Sequence, residues 1–168
     1  MASARDEPVR LLFVCLGNIC RSPTAEGTMR AITLEAGAED RVALDSAGTG
    51  SWHVGSAPDE RATAAAARRG IPLEGAARRV RAEDFEDFDL ILAMDSSNLA
   101  DLQALAPGEE QRAKVRLLRE FDPGAERGED LDVPDPYYGA GDGFERVLDM
   151  VDASCRGLFA QIEARELP

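Results

Sequence analysis

Apolar positions change period several times along the chain, and each change marks an element. VRLLFVC, residues 9–15, is apolar at nearly every position, which predicts a strand buried on both faces. From 23 to 36 the spacing turns helical. Ser22 can cap this helix, Pro23 suits its first position and Gly37 ends it. RVALDS, 41–46, predicts a second strand, followed by the glycine-rich loop AGTGSWHVG. An alanine-rich helix is expected over 57–69, stopped by Gly70, with Ser56 and Asp59 as a capping pair. FDLILAM, 88–94, predicts a third strand. SSNLADLQAL, 96–105, is a short helix, and KVRLLREF, 114–121, is a fourth strand. Residues 122–141 are polar, rich in proline and glycine, and predict a loop. A last helix is expected over 143–165, with Phe144, Val147, Leu148, Val151, Leu158, Phe159 and Ile162 near a helical period.

Strands alternate with helices, so the expected fold is α/β. It has three layers, with a small, mainly four-stranded parallel sheet flanked by helices and an anion-binding loop after the first strand. A single domain over 9–165 is expected, preceded by a flexible segment at 1–8. In such folds ligands bind beyond the carboxyl ends of the strands. Cys15, Ser46 and Asp95 follow the first three predicted strands and are placed together at that edge. The loop at 122–141 is too short for a linker and is expected to fold over the site.

Composition narrows the function. The chain has 168 residues, 44% hydrophobic and 30% charged, enough for a core without disulfide or metal. A net charge of -13 argues against nonspecific nucleic-acid binding and against anionic membranes. No run has the length of a membrane span or signal peptide, so a cytoplasmic location is expected. Cys15, Cys20 and Cys155 are an odd set without a short-spacing framework, as expected of reduced thiols. With one histidine and no second cysteine pair, no metal site is expected.

The chemistry concentrates in LGNICRSPT. Cys15 and Arg21 have five residues between them, a spacing that can wrap backbone around an oxyanion. Backbone N–H groups from Leu16, Gly17, Asn18, Ile19, Cys20 and Arg21 would face the anion, reinforced by the positive end of the following helix. Gly17 permits a tight turn and Asn18 tolerates left-handed dihedrals. Arg21 offers paired donors that lysine lacks. The Ser22 hydroxyl can donate to the Cys15 sulfur and stabilise it as thiolate and as leaving group. A cysteine after a buried strand is often mere core packing, but this ensemble of residues points to a nucleophile at a phosphate site.

Phosphate monoester hydrolysis also needs a proton donor. Asp135, between Pro134 and Pro136, is the best candidate, although Asp–Pro is also a common turn pair. Tyr137 and Tyr138 beside it, with the lone Trp52 in another edge loop, suggest the walls of an aryl slot in a chain only 5% aromatic. Asp95 could cap the helix after it or touch the site. His53 reads as a loop residue and Cys155 as inert packing.

These segments resemble the low-molecular-weight protein tyrosine phosphatases. VCLGNICRSPTAEG matches that family's active-site segment nearly letter for letter, and SAGTGSWHVG, ILAMDSSN and PDPYYG follow in the family's order over about residues 9–160. The resemblance implies hydrolysis of phosphotyrosine, or another aryl phosphate monoester, through a cysteinyl-phosphate, without cofactor or metal. It implies that Asp135 is the general acid and later the base, and that Trp52 and Tyr137 flank the phosphotyrosine ring. It favours Ser46, with Asn18 and Ser22, as holding the loop before substrate arrives. It makes Cys20 the redox partner of Cys15 under peroxide. The substrate is then a phosphotyrosine protein or a small aryl phosphate; a monomer is expected, with weak self-association open. One position often histidine in eukaryotic members is Arg69 here, which leaves open how the loop's hydrogen-bond network is completed.

Two rival functions were weighed. An arsenate reductase-like thiol enzyme shares the loop but relays oxidation to mid-chain cysteines, and none lies between Cys20 and Cys155. A non-catalytic phosphate-binding adaptor would not need Cys15, Arg21 and the acid together, and all three are present.

Overall fold

In a computed structural model of the chain, residues 7–125, 130–137, 139 and 142–167 are described. Strand β1 (Val9–Cys15) leads into α1 (Arg21–Glu35), then β2 (Val42–Gly48) and α2 (Glu60–Ala67). After these come α3 (Asp84–Asp87), β3 (Leu90–Ala93), α4 (Ser96–Leu105), α5 (Glu109–Arg112), β4 (Val115–Leu117) and the long α6 (Gly143–Ala164). The strands form one four-stranded sheet in the order β2-β1-β3-β4, and every pair is parallel. This is the expected three-layer α/β arrangement, with the cysteine loop leaving the central strand.

The continuous apolar run of β1 serves both faces of the sheet. Leu11, Phe13 and Cys15 join a core built with Ala25, Met29 and Ile32 of α1 and Val147, Val151 and Leu158 of α6. Leu12 and Val14 turn the other way, toward Phe85, Ile91, Leu102 and Val115. Fully burying each such side chain contributes about 1.5–3 kcal/mol. At the far side of the first layer, α6 lies directly on the short 3₁₀ turn Leu118–Phe121: a Cβ on Gly157 would sit 1.8 Å from the Phe121 carbonyl oxygen. Only glycine fits that contact.

Several boundaries differ from the pattern-based expectation. Helix α1 begins at Arg21, with Cys20 at its N-cap and no side-chain cap; Ser22 is inside the helix and its hydroxyl is used elsewhere. The capping residue of α2 is Asp59, whose carboxylate accepts from the Arg61 and Ala62 amides, so this helix starts at Glu60. The strand expected over 114–121 stops after Leu117 because residues 118–121 tighten into a 3₁₀ turn. Strand β2 continues two residues beyond Ser46, paired with β1 through Cys15↔Gly48. Ser46 is therefore within the strand, level with Phe13, not after its end. Gly37 ends α1 as expected, with φ +66.

Candidate active site

The loop after β1 is shaped from behind by the end of β2. The Thr49 amide donates to the Cys15 carbonyl at 3.0 Å, and the Gly50 amide donates to the Leu16 carbonyl at 2.9 Å. The two chains meet so closely that a Cβ on Gly48 would lie 2.7 Å from the Leu16 oxygen. Asn18 takes up the reversal with φ +57, a conformation that asparagine tolerates better than most residues.

Asn18 then gathers polar groups around Cys15. Its amide N–H donates to Cys15 Sγ at 3.3 Å. Its side-chain Nδ2 donates to Ser22 Oγ at 2.8 Å and to Ser46 Oγ at 3.0 Å, and its Oδ1 accepts from the Arg78 amide at 2.9 Å. Ser22 Oγ lies 3.0 Å from Cys15 Sγ. With Asn18 donating to it, the Ser22 hydroxyl can turn its proton to the Cys15 sulfur or to the Ala47 carbonyl 3.5 Å away, and a thiolate is the stronger acceptor. The expected grouping of Asn18, Ser22 and Ser46 around Cys15 is thus brought together.

Arg21 is only 2% exposed, so its charge needs partners. Nη1 donates to Asp95 Oδ2 at 2.6 Å and to the Val133 carbonyl at 2.9 Å, while Nη2 stands 3.6 Å from Asp135 Oδ2. Burial alone would lower the guanidinium's pKa, but the neighbouring Cys15, Asp95 and Asp135 raise it above its ordinary value. Arg21 is held as a permanent cation. The two readings of Asp95 are both realised: Oδ2 holds Arg21 and Oδ1 caps α4 through the Asn98 amide at 2.7 Å.

The acidic segment reaches the site through its backbone. The Val133 amide donates to the Met94 carbonyl at 2.7 Å, just past β3, and its carbonyl accepts from Arg21. Asp132 accepts from the Ser96 amide at 2.8 Å. These bonds place Asp135 at the pocket, with Oδ1 accepting from the Tyr137 amide at 3.0 Å.

The pocket has a volume of about 370 Å³. Cys15 and Arg21 are among its lining residues, Asp135 stands beside them, and Leu16, Trp52, His53 and Tyr137 also contribute. Trp52 is 75% exposed and lies across Gly50, where a Cβ would come within 2.0 Å of the indole. Tyr138 lies outside the described residues. Among the described residues no three His, Cys, Asp or Glu side chains are grouped as a metal site requires, and no helix is long and apolar enough to cross a membrane.

Three contributors were not evident from sequence. His53 is a wall residue, its ring 5.9 Å from that of Tyr137, and a Cβ at Gly17 would press on it from 3.0 Å. Arg61 lies over Tyr137 at 5.4 Å and over Phe144 at 4.8 Å, backing the wall from α2. The Val133 carbonyl is a main-chain group that no sequence pattern announces. Arg69 bonds to Glu145 and Asp149 of α6, at 2.8 and 2.9 Å, so its charge ties the turn after α2 to α6.

The other thiols are distinct from Cys15. Cys20 is buried and lines the pocket; burial foremost, then Asp59, Cys15 and Asp135, push its thiol up to about 12. Cys155 is fully buried in α6 facing the Ala25 carbonyl, and burial raises it as well.

Comparison with known proteins agrees with this geometry. Residues 10–167 match the family model described as low molecular weight phosphotyrosine protein phosphatase. A low molecular weight protein-tyrosine-phosphatase of Streptomyces coelicolor is 51% identical over 160 residues, covering 93% of this chain and 97% of that protein. The crystal structure of a protein tyrosine phosphatase from Entamoeba histolytica superposes with TM-score 0.88 at 38% identity, over 95% of this chain and 99% of that one. YfkJ from Bacillus subtilis gives TM-score 0.88 at 37% identity, over 98% and 100%. The fold, the cysteine loop on its central strand and near full-length similarity to these enzymes lead to one conclusion: this chain belongs to the low molecular weight phosphotyrosine protein phosphatases.

Proposed function

We propose that the phosphotyrosine hydrolysis of this family is carried out here by Cys15 as nucleophile, Arg21 as phosphoryl clamp and Asp135 as proton donor. The observation that carries this assignment is the pair of polar contacts ending on Cys15: the Asn18 amide donates to its sulfur at 3.3 Å, and the Ser22 hydroxyl lies 3.0 Å away, where it can donate to a thiolate. A packing cysteine has no use for two such donors, whereas a thiolate does.

Arg21 Nη1 is committed to Asp95 and Val133, which leaves the parallel Nε and Nη2 donors for two phosphoryl oxygens. Loop amides from Leu16 to Arg21 supply the remaining donors. The Cys15 thiolate attacks phosphorus, and an S–P bond forms as the P–O bond to the aryl oxygen breaks. Asp135 enters as the neutral acid and gives its proton to that oxygen. A water then attacks the phosphocysteine, losing its proton to Asp135 as the S–P bond breaks. Inorganic phosphate leaves, and the Ser22 hydroxyl receives the returning thiolate charge.

The slot between Trp52, His53 and Tyr137 supports an aromatic leaving group, since these rings supply flat walls to either side of the nucleophile's pocket. The substrate class is therefore a phosphotyrosine side chain of a protein or a small aryl phosphate. Rapid quench of the parent with ³²P-labelled aryl phosphate should place label on Cys15, and Cys15→Ser should bind phosphate but give no turnover. Label on another residue, or turnover by the serine variant, would overturn the assignment.

A further inference from the structure

Asn18 can direct Ser22 only if its side-chain amide is held one way round. Nδ2 faces Ser22; were the amide reversed, Oδ1 would take the Ser22 proton and the hydroxyl would turn from the Cys15 sulfur. The group that sets the orientation is the Arg78 amide, which donates to Asn18 Oδ1 at 2.9 Å. A backbone N–H can only donate, so it excludes the reversed amide.

The position of that N–H is itself secured by the Arg78 side chain. Its guanidinium is clamped between two carboxylates. Nε and Nη2 reach Asp45 Oδ2 at 3.2 and 3.0 Å, while Nη1 and Nη2 make a two-point contact with Asp84 at 3.0 and 3.1 Å. Asp84 is 1% exposed and also accepts from the Arg81 amide at 2.7 Å. Asp45 accepts from the Ser46 amide at 2.8 Å, so the same cluster holds the strand residue that is Asn18's other partner. The Arg78 carbonyl and the Val80 amide bond to Gly48 on either side, adding the segment to the edge of β2.

We propose that Arg78, fixed by Asp45 and Asp84, is a positioning residue for catalysis: it holds Asn18 so that the Ser22 hydroxyl is aimed at Cys15. This rests on the role given to Ser22 above. Arg78 does not line the pocket, so its effect passes through Ser22 and not through substrate contact. The step it serves is departure of the Cys15 thiolate from the phosphocysteine, where a donor on sulfur stabilises the leaving charge.

A double-mutant cycle tests this, reading the rate of phosphocysteine breakdown after rapid quench, kcat, KM and inhibition by inorganic phosphate. Arg78→Met should slow breakdown by roughly tenfold in the parent and by less than about twofold in a Ser22→Ala background, because residues in one hydrogen-bond network are not additive. Because only breakdown is slowed, kcat and KM should fall together, while kcat/KM and phosphate inhibition stay within about twofold. Arg78→Lys, which keeps charge but not the fork, should recover part of the loss. If Arg78→Met does not fold, Asp45→Asn at a half-exposed carboxylate (48% side-chain exposure) removes one arm of the clamp and should show the same coupling at smaller size. Equal losses in both backgrounds, or no loss in the parent, overturn the positioning role. If Ser22→Ala itself breaks down phosphocysteine at the parental rate, the role of Ser22 fails and this inference fails with it. A Ser22→Ala deficit with additive Arg78 and Asp45 effects leaves Ser22 in place and removes only Arg78.

Discussion

The Asp135 carboxylate and the Arg21 guanidinium face each other across the pocket, with Oδ2 3.6 Å from Nη2. The two groups come from opposite ends of the sequence. The separation is too long for a strong hydrogen bond and suits a pair that a phosphoryl group will divide. Arg21 keeps its place through Asp95 and Val133, so substrate can take the Nη2 edge without displacing the arginine.

That arrangement predicts how Asp135→Asn will fail. Cys15 should still attack, but the aryl oxygen must depart without a proton. Phosphotyrosine turnover should fall by roughly 10²–10⁴-fold, and an ester of a strongly acidic phenol should lose less in the first step. Burst kinetics across phenols of graded acidity measure this. A steeper dependence on leaving-group acidity is expected in the variant, and parallel slopes would make Asp135 a turn residue.

Arg21→Lys keeps the charge but cannot span Asp95, the Val133 carbonyl and two phosphoryl oxygens at once. A loss of roughly 10²–10³ in kcat/KM is expected, the range seen when one preorganised donor is removed. Inhibition by inorganic phosphate should weaken in parallel, and unchanged steady-state constants would rule out the clamp.

Cys20 is expected to protect the nucleophile. Peroxide would convert the Cys15 thiolate to a sulfenic acid, and the Cys20 thiol would then condense with it, releasing water and leaving a disulfide. With its thiol pushed up to about 12 by burial and nearby negative charge, Cys20 is almost wholly protonated near neutral pH. The second step should therefore accelerate as pH rises. Peptide mapping should show Cys15 joined to Cys20. Cys20→Ser should recover less activity with thiol after peroxide than the parent does, and equal recovery would remove its protective role.

Asp59 offers a test read in stability. Burial pushes its carboxyl up, but hydrogen bonds from the Arg61 side chain and from the Arg61 and Ala62 amides outweigh that and hold it below the ordinary carboxylate value. A lowered folded pKa means stabilisation that is present above the unfolded value, near 3.9, and lost as pH falls through the lower folded value. Asp59→Ala should cost about 1 kcal/mol at neutral pH by removing the cap of α2. Urea unfolding should show that difference shrinking as pH falls below the ordinary carboxylate value, and a difference independent of pH would remove the electrostatic part of the cap.

Most of the architecture was legible because the hydrophobic period is strong where the core is deep. The run at 9–15 has apolar side chains for both layers, and the last helix carries a long apolar stripe. The boundaries that shifted are those set by hydrogen bonds: the Ser22 hydroxyl answers to Cys15 and Asn18, not to the helix end, and at 118–121 the Glu120 carboxylate folds back to accept from the Leu117 amide at 3.3 Å. In the site, side chains with distinctive chemistry were visible in the sequence, while Val133 and Arg78 were not. Each of these contributes a main-chain group, and a main-chain group is common to nearly every residue. His53 lies in a loop, as its sequence context predicts, but its approach to Tyr137 depends on a fold-back that spacing does not encode.

Val133 bonds to Met94, just past β3, through its amide and to Arg21 through its carbonyl, so the segment bearing Asp135 and the Arg21 side chain form a single frame. Through this shared main-chain link the two groups are positioned together: a change that shifts Val133 should alter phosphate affinity and protonation of the leaving group at once.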